Sequence, residues 1–128
     1  MQYLFLGGRV LYGGFFLMAG VNHFRRAGTM APYTGSKGVP APRLAVLVSG
    51  LVIVLGGLSV ILGFHPAWGV LLLTVFLVPT TLLMHNYWAA TDGAARQADL
   101  THFMKNTALL GAAWMLLFIP QPWALSIR

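Results

Sequence analysis

Cysteine is absent from the chain, and only two acidic residues occur in its 128 positions. The first absence removes disulfides, thiolate metal ligands and cysteine nucleophiles. The second leaves Asp92 and Asp99 as the only carboxylate side chains available for acid–base work. Charged residues make up just 8% of the chain against 58% hydrophobic, too little polar surface for a soluble domain. No phosphate loop, dinucleotide fingerprint or nucleophile elbow occurs. The eight basic residues read as topology determinants and contacts to anionic lipid headgroups, with no nucleic acid partner expected.

What the chain has instead is four long apolar runs, approximately 3–24, 44–64, 67–88 and 101–119. Each is close to the ~20 residues that a helix needs to cross a bilayer core. Backbone polar groups in lipid must be satisfied within the segment, so these runs are helices. The expectation is an all-α, integral membrane four-helix bundle forming one domain over 1–128. The first run is too long for a signal-peptide core and lacks a basic leader, so it is expected to remain as a span.

The connections carry the turn chemistry. Between residues 25 and 43, Gly28, Pro32, Gly35, Gly38, Pro40 and Pro42 are expected to resist a continuous helix. Phe64-His65-Pro66 predicts a tight turn and an antiparallel hairpin, with Pro66 in the first turn of the next helix. Asp99 or Thr101 is positioned to cap the last helix, and Pro120 and Pro122 to end it. Pro79 predicts a kink, repaired locally by Thr80 and Thr81. Arg25, Arg26, Lys37, Arg43, Arg96 and Lys105 belong to the first and third connections. Six of eight basic residues therefore place those connections in the cytoplasm and both termini outside. Trp68 and Trp123 would then mark the outer interface, and Tyr87 and Trp88 the inner one.

Small residues recur at seven-residue spacing, as Gly13 and Gly20, Gly50 and Gly57, and Ser49, Gly56 and Gly63. This spacing keeps them on one helical face, where neighbouring backbones can approach.

Two groups of polar residues could carry chemistry. Arg9 places a permanent charge inside the first run, at a cost of ~2.5–3.5 kcal/mol on insertion scales. It either snorkels to headgroups and bonds carbonyls, or faces the bundle and binds an anionic or carbonyl-bearing ligand. Tyr12 shares its face. The second group comprises Asn22 and His23, His85 and Asn86, and His102, Lys105 and Asn106. Antiparallel threading brings these three helix ends to one depth. Imidazoles exchange protons near neutral pH, amides grip carbonyls, and an ammonium stabilises developing negative charge. The same residues also suit an ordinary interfacial layer. No spacing identifies an axial haem pair or a zinc ligand set, and no metal is expected.

The sequence Gly8-Arg9-Val10 through Ala19-Gly20-Val21-Asn22-His23-Phe24, the pair Gly56-Gly57, and Leu83-Met84-His85-Asn86-Tyr87-Trp88 together resemble DoxX-type membrane proteins. His102-Phe103-Met104-Lys105-Asn106-Thr107-Ala108-Leu109-Leu110-Gly111 is the most specific part of the likeness. The resemblance implies a small four-helix protein of the bacterial inner membrane. Some members are linked to oxidoreductase complexes, and one branch supplies a membrane subunit of a thiosulfate:quinone oxidoreductase. Many relatives place a glutamate near the paired glycines where this chain has Ile53, so an acid-dependent role there is not implied.

The combined expectation is a non-autonomous membrane subunit of a quinone-linked redox complex. His85, His102 and Lys105 are the candidate catalytic groups, and Arg9, Tyr12, Asn22, His23 and Asn106 the candidate ligand-binding groups. Quinone is the candidate cofactor, none being fixed outright. The bilayer, a redox partner protein and further copies of the chain are the candidate partners. The competing class is a non-catalytic assembly, scaffold or lipid-interaction protein, and solute transport is a third.

Overall fold

A computed structural model describes residues 1–128. It is all-helical: α1 (Gln2–Arg25), α2 (Ala27–Ser36), α3 (Pro42–Leu62), α4 (Pro66–Met84) and α5 (Gly93–Leu116), with one 3₁₀ turn at Tyr87–Ala89. Three segments are long and apolar enough to cross a membrane, namely Gln2–Arg25, Pro42–Leu62 and Pro66–Ala89. The fourth long helix, α5, is 24 residues long but takes Arg96, Asp99 and Lys105 into its first thirteen residues. It starts at Gly93, well before the expected 101, because Asp92 caps it: the Ala95 amide donates to the Asp92 carboxylate at 2.9 Å. Asp99 and Thr101, the expected caps, lie inside the helix.

The connection expected to resist helix contains α2. The glycines and Pro32 mislead because their positions matter more than their number. Gly28 and Gly35 sit near the two ends of α2, where a weak helix former costs little. Pro32 gives up its amide donor and crowds the Gly28 carbonyl, yet α2 continues through it to Ser36. Pro79 is likewise carried within a helix that continues from Pro66 to Met84.

The expected hairpin turn forms. Gly63 takes the left-handed conformation (φ +66°) that ends α3, and the Phe64 amide donates back to the Ser59 carbonyl at 3.1 Å. This closing pattern satisfies carbonyls that the helix end would otherwise leave free. Pro66 starts α4, where no amide donor is needed.

Close backbone contact holds the bundle. A methyl group added at Gly57 would lie 2.6 Å from the Gly13 carbonyl oxygen, and one at Gly20 2.8 Å from that of Gly50. These two crossings lock α1 onto α3. Gly56 faces the other way, with Leu73 of α4 2.8 Å from an added methyl. The expected packing face is therefore two faces, which let one helix touch two neighbours closely. Phe16, Ile53, Val60, Leu73, Leu77 and Trp123 form the core. Only 23 of 128 residues are buried, and Leu11, Met18, Leu44, Trp68, Val75 and Phe118 are among the large apolar side chains left exposed. That exterior suits hydrocarbon, not water.

Candidate functional site

Arg9 is 2% exposed, and its guanidinium is spent on backbone carbonyls. Nε donates to Val60 (3.1 Å), Nη1 to Ala124 (2.6 Å), and Nη2 to Ile61 (2.6 Å) and Leu125 (3.4 Å). Val60 and Ile61 belong to the last turn of α3, whose free carbonyls carry partial negative charge and favour a cation. Ala124 and Leu125 belong to the tail after α5. The rings of Phe5 and Trp123 each lie 5.6 Å from the guanidinium carbon. The Ile127 amide donates to the Leu62 carbonyl at 2.9 Å, completing the attachment. Arg9 thus ties the tail to the α3–α4 turn, and both ends of the chain lie at that end of the bundle. Trp123, expected to mark the outer interface, is 3% exposed because it forms part of this clasp. Tyr12 Oη donates to the Leu109 carbonyl on α5 at 2.5 Å.

At the opposite end lies a cavity of about 670 Å³, lined by side chains from all five helices. It falls within the ~300–1,000 Å³ typical of small-molecule sites. Asn22 and His23 come from α1, Tyr33 and Thr34 from α2, Ser49 from α3, Thr80 and His85 from the α4 side, and His102, Lys105 and Asn106 from α5. Phe15, Phe16, Val46, Phe76 and Leu77 supply apolar wall. The three chain-distant groups that share a depth by antiparallel threading do converge. Arg9 and Tyr12 do not join them; they border a separate cavity of about 620 Å³ near the chain ends.

The polar groups of the larger cavity are held differently. His23 Nδ1 donates to the Ala19 carbonyl at 2.7 Å, which leaves Nε2 as the acceptor nitrogen of the neutral ring. The rings of His85 and His102 stack with centroids 4.9 Å apart and 27° between planes. Behind them, His85 Nδ1 lies 3.4 Å from Asp99 Oδ1. Lys37 Nζ lies 3.8 Å from Asp99 Oδ2 and donates to Asn86 Oδ1 at 2.8 Å. Such a carboxylate–imidazole contact fixes both tautomer and ring orientation. Lys105 has no acidic partner; its ammonium lies 5.3 Å from the Phe15 ring centroid. Asn106 is 5% exposed and lines the cavity. The arrangement offers amide, ammonium and imidazole donors to a carbonyl-bearing or anionic group against an apolar wall.

Tyr33, Thr34, Lys37 and Asp99 were not among the sequence-derived site residues. Met30, Tyr33 and Thr34 recur at helical spacing, a signal hidden by reading their segment as turns. Asp99 is 9% exposed, and its burial beside Lys37 depends on α2 folding back towards α5.

Comparison with known proteins places this architecture. Residues 4–86 match the family model described as DoxX. The chain is 32% identical over 95 residues to "Inner membrane protein YphA" of Escherichia coli (strain K12), an alignment covering 74% of this chain and 66% of that protein. The chain therefore spans just under two thirds of that relative's length. No solved structure matches. The family match extends over more than half of the chain, through the α1–α3 glycine crossings, the Arg9 helix and His85: the chain belongs to the DoxX family.

Proposed function

We propose that this inner-membrane protein binds a quinone-type head group in the larger cavity and serves as a membrane subunit of a redox complex. One observation carries the reading: Lys105 and Asn106 face an apolar-walled cavity with neither an acidic partner nor a side-chain hydrogen bond to protein. Donors aimed into such a space fit a flat ring bearing carbonyl oxygens. A bound quinone would supply the electron-accepting carbonyls, with electrons delivered by a partner protein. Lys105 polarises a carbonyl oxygen, and Asn106 orients the ring. His102 exchanges the proton, and the adjacent His85, held by Asp99, relays it. Asn22 and His23 complete the opposite wall. Arg9 and Tyr12 serve the fold.

The same reading sets the orientation. We place α5 as a fourth span, with the cavity and most basic residues at the cytoplasmic face and the Arg9 clasp outside.

The test is equilibrium binding of a short-chain quinone to protein purified with native lipid. Lys105→Ala and Asn106→Leu are each expected to weaken binding by about tenfold, equivalent to ~1.4 kcal/mol. Lys105→Arg should restore part of it. Unchanged affinity in both weakening variants would remove the cavity from the function.

A further inference from the structure

The two cavities lie along one seam. α1 packs on α3, α3 on α4 and α4 on α5, but α1 and α5 are not packed together along their length. They are bridged where Tyr12 donates to the Leu109 carbonyl and where Lys105 lies against Phe15. On α1, Leu4, Gly8, Tyr12 and Phe15 line the cavities; on α5, Lys105, Ala112 and Leu116 do so. Spacings of three, four or seven place each set on one helical face. From Phe15 to Leu4 the helix rises about 16 Å.

Polarity changes along that distance. The end at Lys105 offers free donors. The end beside Gly8 and Ala112 has an apolar lining, because the polar atoms of Arg9 and Tyr12 are occupied by carbonyls. A methyl group added at Gly8 would meet nothing within 4 Å. Because the Tyr12 side chain reaches the Leu109 backbone directly, a helix ~10 Å across cannot insert between α1 and α5 at that level. A second protein helix therefore fits poorly, whereas a hydrocarbon chain does not need that width.

We infer that the α1–α5 seam is a tail groove, so that the cavity's ligand is a lipid whose hydrocarbon tail runs past Tyr12 to the apolar space beside Gly8 and Ala112. This inference rests on the head-group site proposed above and adds that the tail is recognised, not merely dissolved in the bilayer.

The experiment compares a tail-free dimethoxy-methyl-benzoquinone with its decyl-tailed analogue, using full-length protein in lipid nanodiscs. Each probe is measured on wild type and on Gly8→Leu/Ala112→Phe, so partitioning into lipid cancels within each probe. The double variant should weaken the tailed probe by about tenfold or more, as expected for losing the burial of two methylenes. The tail-free probe should stay within about twofold. Lys105→Ala should weaken both probes. Equal loss for both probes, or loss for neither, overturns the tail groove while leaving the head-group site standing. Failure of either probe to bind wild type removes the head-group site and the groove with it. Conversion of a dimer to a monomer in the double variant, without loss of ligand, assigns the seam to a second copy and also overturns the inference.

Discussion

Removing the Arg9 guanidinium should release the C-terminal tail while leaving the α1–α3 pair in place. Three of its hydrogen bonds are short, at 2.6, 2.6 and 3.1 Å, and the fourth is 3.4 Å. A hydrogen bond from a charged donor contributes ~1.5–3 kcal/mol, which sets an upper bound near ~6 kcal/mol for the two that reach the tail, to Ala124 and Leu125. The freed carbonyls lie at a helix end and in a tail, where water and headgroups can replace part of that. The bonds to Val60 and Ile61 stay within the α1–α3 pair, so tail docking in Arg9→Ala loses about 1 kcal/mol net for the short bond to Ala124 and a fraction of that for the long one to Leu125, ~1.4 kcal/mol in all. That is roughly one order of magnitude in the equilibrium between docked and released tail. The Ile127 amide reports it directly, since it donates to the Leu62 carbonyl only when the tail is docked. Hydrogen exchange at Ile127 should accelerate by about tenfold in Arg9→Ala, with amides in the middle of α3 unchanged. Arg9→Lys should fall between, because one ammonium lacks the planar fork that reaches α3 and the tail together. Unchanged exchange at Ile127 in Arg9→Ala would refute the clasp, and equal acceleration throughout α3 would mean that Arg9 holds the whole bundle.

Other consequences are sharper for being paired. Gly57→Leu should sharply lower folded yield and thermal stability, since its side chain would enter the Gly13 backbone; Gly8→Leu should leave both nearly unchanged, and similar losses would argue against the close crossing. Asp99→Asn should cost about 1–3 kcal/mol of stability, because it leaves Lys37 and His85 without their carboxylate in a largely buried setting. It should still weaken quinone binding several-fold by releasing His85, and Asp99→Glu should recover part of the binding; a fall in melting temperature without loss of binding would make Asp99 purely structural. Reporter fusions at both termini should show both ends outside, and cytoplasmic reporter activity from both would invert the orientation.

Three of the four expected spans were legible because hydrophobic length is decisive in a bilayer, and the α3–α4 turn because Gly63, Pro66 and their spacing permit few alternatives. The convergence of Asn22, His23, His85, His102, Lys105 and Asn106 followed from antiparallel threading alone. The helix α2 was not legible, since a tally of glycines and prolines ignores where in a helix each one falls. Losing it also hid the contribution of Tyr33 and Lys37. Arg9 was recognisable as costly, but not its partners: Ala124 and Leu125 contribute carbonyls, which no side-chain pattern can advertise. The stacking of His85 on His102 likewise depends on α5 starting at Gly93, a register set by Asp92.

The central claim is that the cavity lined by Lys105 and Asn106 holds a quinone head group. Photo-crosslinking with an azido-quinone in native membranes, followed by peptide mapping, tests it most directly. The account predicts labelling concentrated on the α5 peptide around His102–Asn106 and on α1 around Phe15–His23, competed away by unlabelled quinone and lost in Lys105→Ala. Labelling spread over lipid-facing positions such as Leu11, Leu44 and Val75, or insensitive to competitor, would contradict it.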